Sequence, residues 1–102
     1  MEDTLKEKLP FIYSLFKENK VVRAYAFGSA LSKDFNVKSD FDFLISFDKS
    51  LSPLQKGENW FSLYYSLKKI LKRDIDLIRE EDLTNPYLLK SIDNNKELIY
   101  GE

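Results

Sequence analysis

Between Asp40 and Phe47 the chain runs Asp-Phe-Asp-Phe-Leu-Ile-Ser-Phe, two carboxylates followed by a stretch that is apolar at all but one position. A strand with so little polar alternation is covered on both faces. The rest of the chain therefore has to supply helices to lie against it. A second apolar run, Val21 to Phe27, ends in Gly28-Ser29. These two runs, with their polar ends, are the frame on which the remaining segments are placed.

Upstream, Asp3 to Glu18 carries Leu5, Leu9, Ile12, Leu15 and Phe16 at helical spacing. Pro10 either kinks this helix or starts its longer part at a first turn. Asn19-Lys20 turns the chain into a first strand, Val21 to Phe27. Ser29 to Phe35 is polar enough for a short helix or an irregular loop, and a second strand follows at Asp40 to Phe47. Asp48 to Asn59, with Pro53 and Gly57, is expected to be a loop.

Trp60 to Leu71 shows the clearest helical stripe: Trp60, Leu63, Tyr64, Leu67, Ile70 and Leu71. Lys68, Lys69, Lys72 and Arg73 gather at its C-terminal end, where they complement the helix dipole and form a solvated end. Asp74 to Ile78 makes a third strand, and Glu80-Glu81-Asp82 an acidic turn. Pro86 opens a last helix to about Ile92. Asn94-Asn95 then turns the chain toward a short edge strand from Glu97 to Tyr100. This order predicts an α/β (α+β) fold, a small mixed sheet flanked by helices.

At 102 residues, the expectation is one domain spanning 1–102. Its 43% hydrophobic and 32% charged residues fit a globular chain rather than a disordered one. With 16 basic against 17 acidic residues, no net field favours general nucleic-acid binding. No apolar run approaches a membrane span, and Met1-Glu2-Asp3 is unlike a signal peptide, so a cytoplasmic location is expected. The sequence contains no cysteine and no histidine, which excludes thiolate chemistry, imidazole ligands and Ser-His-Asp catalysis. Chemistry is left to carboxylates, hydroxyls, Lys and Arg, a donor set suited to hard cations such as Mg²⁺.

Asp40 and Asp42, at i and i+2 of a strand, share one face roughly 7 Å apart. Like charges so placed call for a cation between them, although solvated acids at a strand entrance would look the same in sequence. Gly28-Ser29 adds a backbone that phosphate can approach and a hydroxyl near a helix start. Asp76, between Ile75 and Leu77, completes a three-carboxylate cluster if its strand lies beside Asp40–Phe47. Such a cluster could hold two metals about 3.5–4 Å apart for in-line displacement at phosphorus. Asp76 would also accept the proton of an attacking hydroxyl. Asp74 shares its parity and ranks second, at the mouth of the strand.

Phe27-Gly28-Ser29, ten intervening residues and Asp40-Phe41-Asp42 resemble the signature of the polymerase β-like nucleotidyltransferase superfamily. More narrowly, the chain is similar over nearly its whole length to minimal nucleotidyltransferase (MNT) domains. The resemblance implies that fold, ATP as donor and two Mg²⁺ ions. It implies Gly28 and Ser29 as triphosphate ligands, Asp40 and Asp42 as metal ligands, and Asp76 in the third catalytic place. Many relatives have Arg after the Ser and Gly four positions beyond it; here these are Ala30 and Lys33. Lys33 or Lys38 would then supply the missing positive charge as a point charge.

The resemblance further implies an antitoxin paired with a HEPN-type toxin, AMP being transferred to a hydroxyl of that partner protein. Two alternatives accompany this expectation. One is an MNT antitoxin with little or no activity, acting by contact. The other is an aminoglycoside-type small-molecule nucleotidyltransferase that borrows a second subunit to close its cleft, which leaves room for a homo-oligomer.

Overall fold

The computed structural model describes residues 3–27 and 40–101. In chain order these form α1 (Asp3–Glu18), β1 (Val21–Phe27), β2 (Phe41–Phe47), α2 (Pro53–Leu71), β3 (Ile75–Arg79), a 3₁₀ turn (Glu80–Asp82), α3 (Pro86–Asn95) and β4 (Glu97–Gly101). The four strands make one sheet in the order β3-β2-β1-β4. β1 runs antiparallel to both its neighbours, whereas β2 and β3 are parallel. A parallel pair cannot be joined by a tight turn, and α2 supplies the crossover between them. The mixed α/β sheet expected from the element order is the one observed.

One face of the sheet carries the core. Leu5, Ile12 and Phe16 of α1 and Leu63, Leu67 and Leu71 of α2 meet Ala24, Ala26, Phe41, Phe43, Ile45, Phe47, Ile75 and Leu77 from the strands. Trp60 joins this layer with its indole N–H donating to the Leu77 carbonyl at 3.0 Å. Along β2 the burial alternates only partly. Leu44 is buried on the other face, while Asp42 and Ser46 beside it are half-buried. The near-continuous apolar run thus reflects one fully packed face and a second that is covered in the middle.

Two boundaries differ from the sequence expectation by more than one residue, the start of α2 and the end of α3. α2 begins at Pro53, so most of the segment expected to be loop is helix. Ser52 is its N-cap: Gln55 N–H donates to the Ser52 hydroxyl at 3.2 Å, and Ser52 N–H donates to the Gln55 side chain at 2.8 Å. Pro53 occupies the first turn, where its missing N–H costs nothing. Gly57 is carried inside the helix at a cost of about 1 kcal/mol relative to Ala. α3 runs on through Asn94 and Asn95, the latter donating from its side chain to the Ser91 carbonyl at 2.9 Å. α1 is one helix that includes Pro10.

β4 ends in Gly101, at φ +80°, where an added Cβ would lie 2.1 Å from the Val22 carbonyl oxygen. Only glycine fits there, and its tight approach lets the edge strand close against β1.

Candidate active site

The register of the parallel pair decides where the acids meet. Asp42 of β2 lies directly beside Asp76 of β3, and Phe41 beside Ile75. Paired residues on neighbouring strands face the same side, and the alternation places both carboxylates away from the main core: Asp42 is half-buried and Asp76 exposed. Asp40 precedes β2 by one residue and shares the parity of Asp42. β1 ends at Phe27, which pairs with Asp42 on the other side. The acids therefore sit where three strands begin or end together.

Asp74 has a different place. Its carbonyl accepts the N–H of Phe41 at 3.0 Å and so extends the pairing of the two strands to their mouth. Its side chain stands 3.6 Å from the Lys68 ammonium. The basic end of α2 is thereby delivered beside the acidic end of the sheet, which the helix-dipole reading of this cluster did not anticipate. Gly28, Ser29 and Lys33, with Ala30 and Lys38, lie outside the described residues.

Whether these acids suit a cation can be judged from the donor set. Like charges directly across neighbouring strands are unfavourable, by up to about 1 kcal/mol, yet Asp42 and Asp76 are held in register. Hard carboxylate oxygens on adjacent strands match Mg²⁺. Among the described residues no three acids are drawn close enough to hold a metal ion by themselves. The fit is thus to a cation shared between the protein and further oxygen donors, as phosphates would provide.

The opposite end of the same face is built from opposite charges. Arg23 Nη2 lies 2.5 Å from Glu80 Oε2, and the Ser46 hydroxyl donates to the same carboxylate. Burial opposes ionisation of Glu80, but the Ser46 and Arg23 hydrogen bonds outweigh it and hold the carboxyl below its ordinary range. Lys96, just past α3, sets its ammonium 4.1 Å from the centre of the Tyr25 ring and pairs with Asp93 at 2.8 Å. A cleft of about 730 Å³ opens at this end, lined in part by Arg23, Ser46, Lys56, Arg79, Glu80 and Glu81. Its cations Arg23, Lys56 and Arg79 are each paired with a carboxylate. Lys49 also lines this cleft, and the carboxylates in register stand at the other end of the sheet.

A family model described as Polymerase beta, Nucleotidyltransferase matches residues 11–102. The chain belongs to this nucleotidyltransferase family. A Methanocaldococcus jannaschii protein named "Putative protein adenylyltransferase MJ1379" is 33% identical to this nucleotidyltransferase over 97 residues, spanning 94% of this chain and 93% of the relative. Among solved structures, a chain of a toxin–antitoxin complex with AMP-PNP superposes with a TM-score of 0.72 at 21% identity, covering 92% of this chain and 73% of that one. A chain from the complex of tri-AMPylated Shewanella oneidensis HEPN toxin with MNT antitoxin gives a TM-score of 0.66 at 20% identity, with coverages of 95% and 72%. At such identities the structural likeness establishes the polymerase β-like fold. The acidic end of the nucleotidyltransferase sheet is its candidate active site.

Proposed function

We propose that this nucleotidyltransferase is a Mg²⁺-dependent protein adenylyltransferase, moving AMP from ATP to a hydroxyl of a HEPN-type toxin and acting as its antitoxin. The observation that carries the proposal is the register of Asp42 with Asp76 at the end of a nucleotidyltransferase sheet. Adenylyltransferase names among relatives that align over nearly their whole length support the donor and the protein acceptor. The near-neutral charge balance supports a protein rather than a nucleic-acid partner.

In this reading Asp40, Asp42 and Asp76 hold the metal, and Gly28, Ser29 and Lys33 hold the triphosphate. Asp76 takes the proton of the attacking hydroxyl, whose oxygen forms a bond to the α-phosphorus. The α–β phosphoanhydride bond breaks, and pyrophosphate leaves. Magnesium, when bound, supplies positive charge against the phosphate oxygens.

The test is incubation of the purified protein with labelled ATP, Mg²⁺ and a HEPN-type toxin protein. Label should pass to the partner with wild type and fail to pass with Asp42→Asn. Toxin neutralisation that survives Asp42→Asn without label transfer would mean that the protein acts by contact alone. Label passing to a hydroxylated small molecule, and not to the partner, would replace the proposed acceptor.

A further inference from the structure

The outer face of α2 has no role in the site described above. Leu63, Leu67 and Leu71 turn inward to the core, so the opposite stripe, at steps of three or four, is Leu54, Glu58, Phe61, Tyr65 and Lys68. Its large side chains are displayed to solvent: Leu54 is 73%, Phe61 57% and Tyr65 63% exposed. The rings are also held in place. Phe61 and Tyr65 stack at 6.4 Å, with Trp60 against the edge of Phe61 and Tyr64 against Tyr65. Aromatic groups already fixed by their neighbours lose little conformational freedom when a partner covers them.

Charge along this stripe reverses from end to end. Glu58 lies in the N-terminal half of α2, and Lys68 lies in its last turn. A surface with that pattern is complementary to itself when turned around. In an antiparallel pair of α2 helices, one register sets Phe61 against Tyr65 of the second copy and Glu58 against its Lys68. Each contact then occurs twice about a two-fold axis between Phe61 and Tyr65, as a closed isologous interface requires. The antiparallel helices also oppose their dipoles.

We propose that this stripe is a homodimer interface, its occupant the α2 of a second copy of this chain, with aromatic contacts at the centre and Glu58–Lys68 pairs at the rim. Dimerisation is independent of nucleotide and of the transfer reaction, so it stands or falls separately from the proposed activity.

Sedimentation velocity of the full chain over a concentration series, without nucleotide, is the test. Wild type should show a concentration-dependent dimer. Phe61→Glu, at an exposed position, should keep its circular dichroism spectrum and weaken the dimer by roughly 100-fold. Glu58→Lys should weaken it by roughly tenfold, and the pair Glu58→Lys with Lys68→Glu should restore it. A wild type that stays monomeric throughout, or a dimer indifferent to Phe61→Glu and to the charge exchange, would overturn the proposal. So would a monomeric wild type whose binding to a HEPN-type protein is lost in Phe61→Glu, since the face would then belong to that partner.

Discussion

The two ends of the sheet handle charge in opposite ways. At one end Asp42 and Asp76 stand side by side, with Asp40 and Asp74 just ahead of them. At the other, Arg23, Ser46 and Glu80 close on one another across three strands. The second arrangement supports the fold with its own partners. The first sets like charges in register across neighbouring strands, which is unfavourable by up to about 1 kcal/mol. The contrast separates a cluster of opposite charges from the like-charged one proposed above as the site.

Substitutions should separate the two ends. The largest effect is expected for Asp76→Asn, which should lower adenylyl transfer by about 10²–10⁴-fold in a labelled-ATP assay. Because it removes one of two like charges in register, the metal-free protein should melt no earlier than wild type, with a gain of at most about 1 kcal/mol. An equal fall in stability and activity would erase the distinction between the two ends.

Gly101→Ala, beside the paired end, should cost about 2 kcal/mol, read by urea unfolding, because its Cβ has no room against the Val22 carbonyl. Glu80→Gln should cost about 1 kcal/mol at neutral pH, the pair being only partly shielded from solvent. Its pH dependence sharpens the point. Glu80 titrates lower in the fold than its ordinary value of 4.5, so its contribution is complete above that value. The contribution is lost as pH falls through the folded value. Unfolding followed from pH 6 to pH 3 should show a shallower acid decline in the variant.

The smallest change, about 1 kcal/mol or less, is expected for Ser52→Ala, which removes the cap of α2 while leaving both charge clusters alone. Thermal melts should detect it, and transfer activity at low temperature should not.

Much of this was legible in the residues, and the parts that were not have physical reasons. The apolar run of β2 and the acids at its head are local patterns, as is Asn85-Pro86 at the start of α3. The beginning of α2 was misjudged because Pro53 and Gly57 are strong loop signals when taken singly. The reciprocal Ser52–Gln55 cap, which turns Pro53 into a helix start, needed to be weighed with them. The parity of Asp76 was visible, but its register with Asp42 is a property of strand pairing across an intervening helix. Glu80 looked like one of three acids in a turn. Nothing near it in sequence points to Arg23, which reaches it from the far side of β2.

The parallel union of β2 and β3 also has a bearing on when the chain becomes active. Those strands can pair only after α2 has been made and folded back, a non-local contact of the kind that forms slowly. Asp42 and Asp76 meet at that step and no earlier. A growing or half-unfolded chain that already possesses β1, β2 and every residue before α2 has only part of its carboxylate set. In the function proposed above, transfer activity is thus a built-in report of completed folding, and a cell would receive none of it on credit from unfinished chains.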